Sequence, residues 1–155
     1  MTGHTNQSHH RHQLGLAGEA FVVQLLRQAG WQILQTRWHC RWGEIDIIAA
    51  DSEWLIFVEV KTRQAHRGSM SLDAQGRLAV DSRKQQKLCL AAQVFLSEFV
   101  SQFPTQSVPL HHRFDVALVG YTPANDASHG LSHHALGNCL HLIEYLPHAF
   151  TLDLA

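Results

Sequence analysis

The spacing of hydrophobic and polar residues changes several times along the chain, and each change predicts a new element. From Leu14 to Ala29, apolar residues recur every three or four positions, which indicates a helix with one buried face. Gly30 is suited to the left-handed conformation that commonly ends a helix. The residues that follow, Trp31–Thr36, are predicted to form the first strand.

A hairpin is predicted next, because two apolar-rich segments flank a short polar stretch. Residues 43–49 and 54–61 are the strands, and residues 50–53, of sequence Ala-Asp-Ser-Glu, are the turn. Pairing Ala49 with Trp54 across this turn sets a register in which the numbers of paired residues sum to 103.

That register brings three charged residues to one face of the sheet. Asp46 would lie opposite Phe57. Glu59 would lie opposite Glu44. Directly opposed residues share a face, as do residues two apart, so Asp46, Glu59 and Lys61 would project together. Asp46 and Glu59 would be diagonal neighbours about 7–8 Å apart at the backbone, close enough for both carboxylates to bind one divalent ion, with Lys61 beside them for a negatively charged substrate.

The setting of these acids distinguishes a site from an ordinary hairpin with one wet face, on which alternating acids are common. Here the acid face also carries Ile48, Leu55 and Phe57, so the hairpin is apolar on both faces, like a central strand pair. Acids are costly to bury in such a place unless they are paired or bind a metal. The opposite face is predicted to comprise Ile45, Ile47, Ala49, Ile56, Val58 and Val60.

A second amphipathic helix is predicted after the hairpin. Residues 82–85, of sequence Ser-Arg-Lys-Gln, have the spacing of a capping box and open a helix that runs to about Val100. Lys84 begins its buried stripe, where it either extends to water or contacts phosphate near the site. The rest of the stripe is Leu88, Ala91, Phe95 and Phe99.

The last part of the chain predicts two strands and a loop. His112–Gly120 alternates as a strand, and Asp115 on its second face is expected to pair with a nearby arginine. Residues 122–138 are rich in Pro, Asn, Ser, Gly and His and are predicted to be a long loop. Cys139–Leu146 is predicted to be the last strand. The apolar face of the earlier strand consists of Phe114, Val116 and Leu118.

Six motifs between about residue 14 and residue 120 carry a family resemblance. They are residues 15–19 (GLAGE), 30–34 (GWQIL), 43–49 (GEIDIIA), 57–63 (FVEVKTR), 84–85 (KQ) and 113–116 (RFDV). In sequence and order they resemble the YraN family of bacterial proteins, within the PD-(D/E)xK nuclease-like superfamily. The resemblance implies a restriction-endonuclease-like α/β fold, with a central mixed β-sheet flanked by α-helices, close to that of archaeal Holliday-junction resolvases.

The resemblance also assigns a site. It implies that the superfamily's four catalytic positions are Glu19, Asp46, Glu59 and Lys61. Asp46 and Glu59 would hold Mg²⁺ or Mn²⁺, with the Val60 carbonyl as an additional candidate ligand and Glu19 completing the shell directly or through water. By periodicity alone, Glu19 is an exposed acid at the edge of the first helix's stripe.

Two positions differ from the residues that the resemblance leads one to expect. Ile45 stands where the superfamily often has a proline before the metal-binding aspartate. His39 stands where relatives are expected to have arginine, which would weaken phosphate contact at neutral pH.

Composition indicates the domain organisation and the class of protein. With 155 residues, of which 45% are hydrophobic, the chain is predicted to be one domain over residues 14–155 after a flexible, His-rich tail over residues 1–13. No apolar run approaches the roughly 20 residues needed to span a membrane. Three scattered cysteines without a Cys-x-x-Cys pair favour a reduced, cytoplasmic protein. The 13 histidines have no zinc-finger spacing, so no specific zinc site is expected.

Charge is distributed unevenly. The formal net charge is −1, but residues 61–87 hold seven basic residues and two acids, a local net charge of +5. This segment favours contact with a phosphate backbone, and a solvated mixed surface is the alternative. The predicted nucleic-acid-binding residues are Arg63, Arg67, Arg83, Lys84 and Lys87.

The expected function is a metal-dependent endonuclease that acts on DNA more readily than on RNA, with branched or junction structures as the substrates implied by the resemblance. A homodimer is expected by analogy with resolvase-like folds. One alternative is a non-catalytic nucleic-acid-binding module that retains the nuclease fold. Another is an interaction protein whose sheet serves only as a scaffold.

Overall fold

Six strands and two long helices make up the part of the chain that the computed structural model describes, which is residues 3–65, 80–102, 109, 111–125 and 132–151. In chain order they are α1 (Gly3–Gln28), β1 (Gln32–Cys40), β2 (Gly43–Ala50), β3 (Trp54–Gln64), α2 (Ser82–Gln102), β4 (His111–Pro123), β5 (Ser132–Ala135) and β6 (Asn138–Phe150).

The strands form one mixed sheet in the order β1-β2-β3-β4-β6-β5. Strands β3 and β4 are parallel, and every other neighbouring pair is antiparallel. Parallel neighbours need a long crossover, and α2 lies in the connection between β3 and β4. The predicted fold class is confirmed: this is an α/β protein with a central mixed sheet flanked by helices, consistent with a restriction-endonuclease-like fold.

Each helix covers one face of the sheet. On one face, Leu88, Ala91, Ala92 and Phe95 of α2 pack in a cluster with buried residues of β2, β3 and β4 such as Phe57. On the other, residues of α1 pack against Ile47, Ile56, Val58 and their neighbours. Burial on both sides explains why β2 and β3 are apolar on both faces. The buried α1 residues are Leu14, Gly18, Phe21, Val22 and Leu26.

The predicted hairpin register is wrong by two residues. Ile48 pairs with Phe57 and Ala50 with Leu55, so that paired numbers sum to 105. The side chain of Asp51 causes the shift, because its Oδ1 accepts hydrogen bonds from the N–H groups of Glu53 (2.8 Å) and Trp54 (2.7 Å). The N–H of Asp51 also donates to the Trp54 carbonyl at 2.9 Å, so the turn narrows to Ser52 and Glu53, whereas four residues were predicted.

Several element boundaries also differ from the predictions. The first helix begins at Gly3, within the predicted flexible tail 1–13, and residues 6–12 are exposed, so no apolar stripe marks this extension. Its buried stripe ends at Leu26, and Ala29 is exposed. The first strand continues to Cys40.

The cap of α2 and the predicted long loop need correction as well. Asp81, not Ser82, caps α2, because its Oδ1 accepts the N–H of Lys84 at 2.8 Å. The segment 122–138 is not a continuous loop, since it contains the end of β4 and all of β5. Residues 126–131 lie outside the described part of the chain. The sequence did not predict β5 because this short edge strand, Ser-His-His-Ala, has no alternation of hydrophobic and polar residues.

A buried ion pair stabilises the centre of the sheet. It confirms the predicted pairing of Asp115 with a nearby arginine, which is Arg113. Asp115 is fully buried and accepts hydrogen bonds from Arg113 Nε (3.0 Å), the Tyr145 hydroxyl (2.7 Å) and the His148 N–H (3.1 Å). Burial, and then the negative charge of Asp115, raise the pKa of Tyr145. The network satisfies a buried charge and ties β4 to β6.

Within the described residues, neither helix is long and apolar enough to cross a membrane.

Candidate metal-binding site

The site begins where β2 and β3 stop pairing. Their backbone ladder ends at Ile47 and Val58. Beyond it, the N–H of Val60 donates to Oδ2 of Asp46 at 2.8 Å. A side-chain carboxylate therefore takes the acceptor position that a strand carbonyl would fill, and this bond fixes the orientation of Asp46.

The backbone on the other side of Asp46 is also unusual. Arg37 and Asp46 lie between two paired positions of β1 and β2, and Arg37 has a φ of +50°, in the left-handed region that non-glycine residues rarely adopt. Ile45 packs in the α2-side cluster, whereas Ile47 packs in the α1-side cluster. The predicted shared face of Ile45 and Ile47 is therefore wrong, because the alternation of the strand is interrupted at Asp46.

Glu19 reaches the acids because α1 lies very close to β3. A Cβ on Gly18 would lie 2.0 Å from Oγ1 of Thr62, so only glycine permits this approach. The next residue, Glu19, is thereby placed beside the first half of β2, which holds Glu44 and Asp46. Carboxylate oxygens of Glu19, Glu44 and Asp46 all lie within 4.8 Å of one another.

Glu59 is the most deeply buried acid of the site, with 5% of its side chain exposed. Its Oε1 lies 3.0 Å from Nζ of Lys61 and 3.4 Å from Nζ of Lys84. Its Oε2 is buried and has no hydrogen-bond partner among the residues that the structure describes. An unsatisfied carboxylate oxygen of this kind is costly, and a bound cation would remove the cost.

The pKa values of the acids reflect their burial and their closeness to one another. Burial, followed by the charge of Glu59, raises the pKa of Asp46 to about 7, although the hydrogen bond from Val60 opposes the shift. Burial also raises the pKa of Glu19, with Arg37 opposing this and Glu44 adding to it. Perturbed carboxyl groups that converge in this way are characteristic of functional sites.

Two members of the cluster, Glu44 and Arg37, were missed by the sequence prediction. Nε of Arg37 lies 3.2 Å from Oε1 of Glu44 and 3.9 Å from Oε2 of Glu19, so the guanidinium acts as their counterion. His39 Nε2 also contacts Glu44. Glu44 could have been found, since the predicted register already placed it on the acid face. Arg37 gave no signal, because its position depends on an unusual backbone conformation.

The predicted nucleic-acid-binding residues occupy two elements next to the acids. Arg63 is exposed near the end of β3, two residues beyond Lys61. Arg83 and Lys87 are exposed in the first turns of α2, and Lys84 is partly buried between them and Glu59. The remaining residue, Arg67, lies outside the described residues.

The fold and the site together define an α/β protein with a partly buried carboxylate cluster and an adjacent lysine at the end of a central hairpin. Residues 18–119, which include Glu19, Asp46, Glu59 and Lys61, match the family described as "Uncharacterised protein family UPF0102". The chain belongs to this UPF0102 family, which confirms the predicted YraN-like resemblance at the level of the family.

Relatives match over nearly the whole chain. A UPF0102 protein of Synechococcus sp. (strain JA-3-3Ab) is 46% identical over 139 residues, which cover 90% of this chain and 92% of the relative. A UPF0102 protein of Thermosynechococcus vestitus is 45% identical over 141 residues, which cover 90% and 95%. One of Acaryochloris marina is 39% identical over 165 residues, which cover 90% and 91%.

Proposed function

We propose that this protein is a metal-dependent phosphodiesterase that cuts DNA endonucleolytically, and that it is a member of the PD-(D/E)xK superfamily. The observation that carries the proposal is Glu59, a buried acid with one oxygen on Lys61 and the other without a partner among the described residues. In sequence, Asp46 followed by Glu59-Val60-Lys61 supplies the acids and the lysine of that superfamily's pattern.

The residues present fit a hard divalent cation. Glu19, Glu44, Asp46 and Glu59 offer only oxygen ligands, which suit Mg²⁺ or Mn²⁺ and do not suit zinc, with its preference for nitrogen and sulfur. Asp46 and Glu59 would hold the ion, with Glu19 or Glu44 and the Val60 carbonyl as further ligands. When bound, such an ion lowers the pKa of a water ligand and neutralises charge on a phosphate.

Lys61 acts on the substrate. The Lys61 side chain is 29% exposed, and its Nζ lies 3.0 Å from Oε1 of Glu59, so it contacts both the acids and solvent. In this position it orients the attacking water or stabilises the charge that develops on the phosphate, a role worth about 10²–10³ in rate when one such donor is lost. Lys84, on the other side of Glu59, supplies a second positive charge for the phosphate backbone.

The alternative of a non-catalytic binding module is less well supported. A protein that only holds phosphate gains affinity from cations and loses it through nearby acids. Here several acids are concentrated between Lys61 and Arg37, where they would weaken the binding of nucleic acid until a metal neutralised them. The basic residues of β3 and α2 favour a nucleic-acid ligand over a purely structural role for the sheet.

The experiment is a pair of assays on branched, flapped and linear DNA. Gel shifts over a range of salt concentrations measure binding, and incubation with Mn²⁺ or Mg²⁺ measures cleavage. Wild type is expected to bind and cut, whereas Glu59→Ala binds as well as wild type or better and does not cut. Binding without cleavage by wild type would favour the binding module, and absence of both would exclude a role on DNA.

A further inference from the structure

A small cavity adjoins the acid cluster on the α2 side. Its volume is about 190 Å³, and it lies between the β1–β2 connection and the first turns of α2. Residues from both elements form its walls: Trp42, Glu44, Lys84, Lys87, Leu88 and Ala91.

Two wall residues belong to the site already described. Glu44 is one of the three acids whose oxygens converge, and Lys84 lies 3.4 Å from Glu59. A ligand in this cavity would therefore be in contact with residues that also contact the candidate metal ligands. The cavity is a direct extension of the site and not a separate pocket.

The chemistry of the walls combines an aromatic ring, an aliphatic surface and two cations. Trp42 supplies an indole, and Leu88 and Ala91 supply the apolar wall. Lys84 and Lys87 are three residues apart on α2 and therefore lie on the same side of the helix. Aromatic stacking surfaces beside lysines are the features by which proteins hold single-stranded nucleic acid, the ring for a base and the cations for its phosphates.

The size of the cavity restricts the ligand. An engineered cavity of about 150 Å³ holds one benzene, whereas pockets for drug-sized molecules occupy about 300–1,000 Å³. A volume of about 190 Å³ therefore matches one base and is smaller than a base pair. Bases within a duplex are paired and stacked, so an unpaired base fits this cavity best.

We propose that this cavity binds one unpaired base next to the phosphate that is cut, with Trp42 as the stacking residue. The inference rests on the proposed function for the position of the scissile phosphate. It makes the protein selective for DNA with a single-stranded nucleotide at the site, such as a flap or an open junction. Arg41, which lies over the Trp42 ring at 4.7 Å, holds the indole in place through a cation–π contact.

The test is binding without metal, so that it does not depend on cleavage. Fluorescence anisotropy measures the affinity of wild type, Trp42→Ala and Trp42→Phe for a labelled single strand and for a blunt duplex of equal length. Trp42→Ala is expected to weaken single-strand binding by about 5- to 150-fold, the range produced by loss of one base–aromatic stack. Duplex affinity should change by less than about twofold, and Trp42→Phe should recover most single-strand affinity.

Charge variants provide the matched control. Lys87→Ala should weaken binding to both DNAs and reduce the salt slope by about one phosphate contact. Arg27→Ala, which removes an exposed cation at the end of α1, should leave both affinities unchanged. Equal losses for the single strand and the duplex in Trp42→Ala, or no loss for either, would overturn the proposal. Failure of wild type to cut DNA would contradict the proposed function. The proposal of a base-binding cavity would still be decided by these affinities alone.

Discussion

Replacing Asp46 by asparagine should stabilise the metal-free protein at high pH. The native carboxylate is buried and close to Glu59, and its pKa is raised to about 7 from an ordinary value of 3.8. Because the folded state holds this proton more tightly than the unfolded state, the carboxyl group contributes its full stability below about pH 4. That contribution is lost as pH rises through 7. Asparagine is never charged, and its amide oxygen can still accept the hydrogen bond from Val60.

The magnitude follows from the pKa difference. At about 1.4 kcal/mol per pKa unit, the free energy of unfolding of Asp46→Asn should exceed that of wild type by up to about 4 kcal/mol at pH 8. The two proteins should be equally stable near pH 4. Urea unfolding in the presence of a chelator, repeated across this pH range, measures the difference.

Metal should narrow this difference. A ligand that binds only the folded state stabilises it by RT ln(1 + [L]/Kd), so Mn²⁺ at pH 8 should stabilise wild type and have little effect on Asp46→Asn. Glu53→Gln removes an exposed acid in the β2–β3 turn and serves as the control, with an expected change within about 0.5 kcal/mol. A wild type that is more stable than Asp46→Asn at pH 8 without metal, or a difference that does not vary with pH, would refute the reasoning.

Three further predictions concern the neighbours of the acids. Gly18→Ala should destabilise the fold by about 1–3 kcal/mol, because its Cβ would collide with Thr62. In the double variant, Thr62→Ala should restore part of the lost stability, and urea unfolding measures both effects. Arg37→Ala should increase Mn²⁺ affinity in titration calorimetry, because it removes the cation that competes for Glu19 and Glu44; Arg41→Ala should not, and equal affinities for both variants would argue against competition. Lys61→Ala should lower the cleavage rate by about 10²–10³ with a much smaller effect on DNA affinity in gel shifts, and parallel losses would indicate a binding role.

The sequence was informative where a local pattern determines the structure. The buried stripe of α2 is correct at Leu88, Ala91 and Phe95, because a 3.6-residue period leaves few ways to bury a helix. Lys84 and Phe99 are only partly buried, and the buried Ala92 was not predicted. The pairing predicted for Asp115 with an arginine is found with Arg113, since a charge in a central strand must be neutralised. The motifs identified the family, and its resemblance brought Glu19 into the site where helix periodicity alone made it an exposed acid.

The sequence was uninformative where side chains replace backbone interactions. The hairpin register depends on the hydrogen bonds that Asp51 accepts in the turn, which the hydrophobic pattern does not record. The interrupted alternation at Asp46 depends on Arg37 in a left-handed conformation, for which arginine has no preference. The contribution of Trp42 to a cavity depends on packing between the β1–β2 connection and α2, which lie far apart in the chain.

Manganese-dependent cleavage of a flapped DNA, measured for wild type and Glu59→Gln, tests the proposed site most directly. Glutamine keeps the size of the buried side chain and removes the charge that would hold the ion, so a loss of activity can be assigned to the site once circular dichroism shows that the variant is folded. Wild type should cut the DNA with a rate that rises to saturation with Mn²⁺ concentration, and Glu59→Gln should bind the same DNA without cutting it. Equal cleavage by the two proteins, or cleavage by wild type that does not change when a chelator removes the metal, would contradict the assignment of Glu59 and its neighbours as a catalytic metal site.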